Sequence, residues 1–161
     1  MISILTKGFM HENILSGYEI PYFVKLLFCL FAGLMIGSER ESRGKAAGIS
    51  THTFVIAGSM TFTFLSLLMD MSSPARIAAQ VVSGIGFLGA GIILKSGEGR
   101  IVNLTTAASI WFSSGIGMMI GFDWYVCSVL AVVFAVLVFK IPTAPLTHTH
   151  STPHAADSKK I

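Results

Sequence analysis

The sequence predicts an all-α polytopic membrane protein, a bundle of about five transmembrane helices with the N-terminus outside and the C-terminus inside. Three observations carry that expectation. Of 161 residues, 53% are hydrophobic and 12% charged, and the mean hydropathy is +0.74. A soluble domain this small needs a large polar surface, and here there is too little polarity to face water. The apolar residues gather into runs of about 17–20, enough to cross a bilayer core as helices. The basic residues fall in short connections and form no stripe, so at a net charge of +3 nucleic acid is a poor partner.

Taken in order, residues 1–20 form an N-terminal extracytoplasmic segment. Lys7, His11, Glu12 and Glu19 leave no apolar region for a cleavable leader. The first span runs from Pro21 to Gly37 and the second from His52 to Met69, with Thr51 placed to cap it. The third runs from Pro74 to Leu94, with Ser73 as cap and proline at the first helical position. The fourth runs from Leu104 to Gly121 behind Asn103 as cap. The fifth runs from Trp124 to Phe139 after a tight connection at Asp123. Strands are excluded because the runs are long and lack period-two alternation, whereas helices satisfy their own backbone in lipid. Four spans with a re-entrant third segment remain an alternative. Residues 21–140 thus form one membrane domain, and residues 141–161, with Pro142, Pro145 and Pro153, a disordered cytoplasmic tail.

Cation placement sets the orientation. The inner side receives Arg40, Arg43, Lys45, Lys95, Arg100, Lys140, Lys159 and Lys160, and the outer side only Lys7, Lys25 and Arg76. Lys25, about one turn inside the first span, is expected to snorkel outward. Cys29 and Cys127 lie in apolar runs and read as buried thiols.

Polar residues near the span ends are the candidates for function. Glu39, Arg40, Glu41, Arg43 and Lys45 crowd below the first span, and Glu39 and Arg43 are spaced to pair on one helix face. Orientation accounts for the cations but not for the acids, so an anchor and an interaction or ion-handling site both stay open. His52, Asn103, Thr105 and Thr106 open spans on the same side and can border a shared polar pocket. Arg76 and Gln80 share a side of the third span and are expected to point into the bundle or a hydrated cavity. In the tail, His148, His150 and His154 read as an incidental polar cluster, with no metal site expected.

Small residues at helical spacing point to helix packing. Gly33 and Gly37, Gly117 and Gly121, and the series Ala79, Ser83, Gly86 and Ala90 each lie on one face. Gly84, Gly86 and Gly89 match a dinucleotide fingerprint in form only, because they stand inside an apolar run with no strand before them. No phosphate loop, zinc-protease or nucleophile-elbow pattern occurs, and no cofactor is expected.

Four motifs then carry a resemblance: Glu39 to Arg43, Ala47 to Thr53, Arg76 to Gln80 on through Gly91, and Leu104 to Ala108 with Trp111. Together they resemble the MgtC/SapB family over residues 22–140. The resemblance implies a bacterial inner-membrane protein of about five helices, tied to growth at low magnesium. It also implies a regulator of other membrane proteins, among them the F-type ATP synthase; the missing catalytic motifs add the expectation of no enzyme, and the small-residue faces that of a packed bundle and a homodimer. A transporter or channel for magnesium or another solute is the alternative. Longer members carry a soluble C-terminal domain, where this sequence has a short tail. Asn103 replaces the usual glycine of the pattern, and Ser73 an acid.

Overall fold

The computed structural model describes residues 16–69, 75–94 and 102–141. These residues are all-helical: α1 (Glu19–Ser42), α2 (Ile49–Met69), α3 (Ala75–Leu94), α4 (Leu104–Gly121) and α5 (Tyr125–Lys140). α1, α2 and α4 are long and apolar enough to cross a membrane, while α3 and α5 supply the shorter apolar helices Ala78–Ile93 and Tyr125–Lys140. The 16 residues of α5 rise about 24 Å, somewhat less than a hydrocarbon core of about 30 Å. Phe54 is 78% exposed, Phe87 81% and Leu130 64%, a surface that lipid tolerates and water does not. The Ser73–Pro74 cap, Lys7, Lys95, Arg100 and the tail with its histidines lie outside the described residues.

Contacts fix the helix directions. Gly37 of α1 meets Ile49 of α2, and Tyr22 shares a hydrogen bond of 2.9 Å with Thr61, so α1 and α2 are antiparallel. His52 meets Ser113 and Gly121 meets Thr63, so α2 and α4 are parallel. Gly89 lies against Ala107, Phe112 against Phe134, and Phe28 against Tyr125. The five helices therefore alternate up and down. The core joins Cys29, Ala32 and Ile36 of α1 to Ile56 and Met60 of α2, Ile116 and Ile120 of α4, and Val132 and Ala135 of α5.

Two of the three small-residue faces grip α2. A Cβ on Gly33 would stand 2.6 Å from the Thr53 Cα, and one on Gly37 would overlap Ile49. One on Gly117 would overlap the Ile56 carbonyl, and one on Gly121 would stand 2.6 Å from the Thr63 Cβ. Backbones this close need glycine on the approaching helix. The expectation for α3 is corrected: Ala79, Ser83, Gly86 and Ala90 are exposed, and α3 turns Ala78, Ile85 and Gly89 inward instead. Hydropathy alone could not choose between these faces, since both are apolar. Cys127 is likewise exposed, while Cys29 is buried, and both thiols are free.

The helix ends follow from local chemistry. Gly44, at φ +62°, closes α1: its N–H donates to the Glu41 carbonyl at 2.9 Å, and the Lys45 N–H donates to the Arg40 carbonyl at 3.1 Å. α2 begins at Ile49, so Thr51 lies inside it, and its capping acceptor is the Glu41 carboxylate, which takes the Ile49 N–H at 2.9 Å. Asn103 stands at the α4 N-cap with φ +63°, and its side chain makes no capping bond there. Asp123, also at φ +63°, turns the chain from α4 into α5, where the tight connection was expected.

Candidate functional site

A line of buried polar side chains runs between α2 and α4, closed at each end by a cation from α1. At one end Arg40 is 2% exposed. Its Nη2 donates to the Thr106 hydroxyl at 2.5 Å, and its guanidinium faces the Phe139 ring at 4.9 Å. Next along the line is His52, fully buried, with Nδ1 at 2.8 Å from the Ser113 hydroxyl. Arg40 is near enough for its charge to act on that imidazole. Arg40 Nε and His52 Nε2 are buried without a hydrogen-bond partner. Beyond them Ser59 packs on Gly117 and Thr63 on Gly121. Ser109 and Thr63 return their hydroxyls to carbonyls of their own helices, each at 2.8 Å.

At the other end is Lys25, also 2% exposed. Its ammonium donates to the Ile120 carbonyl at 2.9 Å, to the Gly121 carbonyl at 3.1 Å and to the Asp123 carboxylate. The expected snorkelling is corrected by this. The free Gly121 carbonyl at the end of α4, the Ile120 carbonyl that also accepts the Asp123 N–H at 3.2 Å, and the acid just beyond hold the ammonium better than a climb to the surface would. Partial burial pushes the Asp123 carboxyl up, but the hydrogen bonds from Lys25 and Tyr125, with the Lys25 charge, hold it below its ordinary 3.8. A lysine inside an apolar run, with a lone acid at a tight helix connection, was the signal in the sequence. The seam partner Ser113 had no such signal.

The other expected site residues divide. Glu39 and Arg43 pair at 2.6 Å on the outside of α1, as their spacing predicts. Thr105 is exposed beside buried Thr106, and Asn103 is half-buried. Arg76 and Gln80 are exposed on α3, away from the seam. Gln80 lines an apolar groove of about 590 Å³ between α2 and α3, with Phe54, Gly58, Phe62 and Gly84. The expectation that it points into the bundle is thereby corrected.

Among the described residues, the buried ionisable side chains are Lys25, Arg40, Cys29 and His52, with no carboxylate among them. No cluster of three His, Cys, Asp or Glu is placed to hold a metal ion among those residues. The seam is thus a hydroxyl-lined helix interface flanked by positive charge. Among the described residues its acid–base pair is Lys25 with Asp123 at one end, and the oxygens there are taken by the ammonium.

Comparison with known proteins places this architecture. The profile of the MgtC family matches residues 26–145. Protein MgtC of Salmonella typhi is 36% identical over 151 residues, covering 94% of this chain and 64% of that protein. Protein MgtC of Brucella abortus (strain 2308) is 47% identical over 107 residues, covering 66% and 44%. YhiD of Escherichia coli (strain K12), named as a candidate magnesium transporter, is 41% identical over 129 residues, covering 74% and 60%. The chain thus spans between 44% and 64% of the lengths of these relatives. No solved structure matches it significantly. With the family profile covering most of an all-helical membrane chain, the protein belongs to the MgtC family.

Proposed function

We propose that the chain is a multi-pass protein of the bacterial inner membrane, with its N-terminus outside. In this proposal it serves magnesium homeostasis or low-magnesium adaptation by regulating other membrane proteins, and is not an enzyme. The observation that carries this is the pair of buried cations, Arg40 and Lys25, at opposite ends of the polar seam. Magnesium prefers carboxylates and retained waters. Arg40 opposes a divalent cation at one end, and at the other Lys25 already occupies the two carbonyls and the Asp123 carboxylate that could hold one.

The contact surface is then the loop side of α1, where Glu39, Arg43 and Thr105 reach the surface over the buried Arg40, His52 and Thr106. Other membrane proteins, the F-type ATP synthase among them, are the partners proposed for it. A second copy is proposed for the small-residue face of α3, where Ala79, Ser83, Gly86 and Ala90 stand uncovered beside Gln80 and Arg76.

Transport of magnesium is the second reading, favoured by the name that YhiD carries. Purified protein in liposomes loaded with a magnesium-sensitive dye separates the two. No uptake above protein-free vesicles is expected, and robust uptake lost in Glu39→Ala overturns the regulatory reading. In a strain that needs this protein, Arg43→Ala is expected to impair growth at low magnesium. Unimpaired growth removes the loop from the contact surface.

A further inference from the structure

We propose that Arg40 and the first turn of α4 hold the headgroup of an anionic phospholipid, with an acyl chain in the cleft between α4 and α5. Among the described residues the Arg40 charge has no counter-ion. The Arg40 guanidinium is 2% exposed, spends one N–H on Thr106, and has a buried Nε without a partner. Neither neighbouring carboxylate serves it. Glu39 is engaged by Arg43, and Glu41 caps α2. No described residue supplies a counter-ion, and a buried charge without one costs several kcal/mol, so an anion from outside the bundle fits here.

The surroundings say what kind of anion. Thr106 belongs to the first turn of α4, an 18-residue helix whose dipole adds positive potential at the same place. Directly alongside is an apolar cleft of about 300 Å³, lined by Ile36, Thr105, Trp111, Phe112, Phe134 and Phe139. Phe139 joins the two features, because its ring faces Arg40 and also lines the cleft. Trp111 is 54% exposed and Phe134 58%, so the cleft opens sideways onto the apolar surface that lipid covers. From Leu104 to Trp111 the helix descends about 10 Å, the reach of an acyl chain below its headgroup. A positive head above a lateral apolar cleft is complementary to an anionic phospholipid, and basic pockets between membrane helices bind such headgroups. A free anion would leave the cleft without a role.

Trp111 reports on the cleft directly, because the chain has only two tryptophans. In a full-length Trp124→Phe protein, Trp111 fluorescence is measured in phosphatidylcholine vesicles. These contain a small fraction of either brominated phosphatidylglycerol or brominated phosphatidylcholine. Stronger quenching by the anionic lipid is expected. Arg40→Gln is expected to abolish that preference. Ala108→Phe, which fills the cleft and leaves Arg40 in place, is expected to abolish it as well. Equal quenching in the parent protein overturns the assignment, as does a preference that survives either substitution. Loss of the preference on adding inorganic phosphate identifies a free anion as the ligand and overturns the lipid.

Discussion

Lys25 shows what one side chain does when hydrocarbon surrounds it. Its ammonium answers the Gly121 carbonyl and the Asp123 carboxylate, shares the Ile120 carbonyl with the Asp123 N–H, and is flanked by the Phe64 and Tyr125 rings at 5.9 and 5.4 Å. Lys25→Met should cost about 1–3 kcal/mol, seen as a lower unfolding temperature in detergent, because it strands the Gly121 carbonyl and removes the ion pair with Asp123. The same contact predicts a pH dependence. The folded Asp123 carboxyl lies below its ordinary 3.8, so its stabilisation is complete above that value. It is lost as pH falls from there through the folded pKa. Acid unfolding should be steeper in the parent protein than in Lys25→Met, where that linkage is gone. Left-handed backbone is the other lesson at this scale. Asn103 and Asp123 both sit near φ +63°, a conformation that short polar side chains tolerate. It also explains why the resembled family pattern has glycine at the Asn103 position.

Whole helices separate two kinds of glycine. Gly33 and Gly117 face the α2 backbone, whereas Gly84, Gly86 and Gly91 have nothing within 4 Å of an added Cβ. Gly117→Ala should lower the unfolding temperature by an overpacking cost of about 1–3 kcal/mol. In detergent-dispersed monomers, Gly86→Ala should be neutral or stabilising by up to about 1 kcal/mol, since within one chain it removes only backbone freedom. Equal losses in the two variants would show that α3 packs through the face found exposed. Which glycines pack was half legible in the sequence. The Gly33/Gly37 and Gly117/Gly121 spacings identify faces, and both meet α2. The α3 series has the same spacing and turns outward, because spacing defines a stripe but not what lies opposite it. Glu41 was illegible in the same way. Its role as the α2 cap depends on the turn at Gly44 bringing the two helix ends together.

At the scale of the molecule, alternating helices put Gly17 and Lys140 at opposite ends of the bundle. With Cys29→Ala and Cys127→Ser as background, a cysteine at Gly17 should react with a membrane-impermeant maleimide in intact cells. One at Lys140 should react only after permeabilisation. The reverse pattern overturns the cation-based orientation. The sequence by itself determined that the chain is helical, that lipid surrounds it, and where most helices begin and end. Those properties depend on residues close together in the chain, through hydropathy, backbone satisfaction and capping. Only the tertiary structure decided that Lys25 and Arg40 are drawn inside, that His52 meets Ser113, and that Arg76 and Gln80 stand apart from them. Those outcomes depend on which helix lies opposite, and so on groups between 61 and 98 residues apart in the chain.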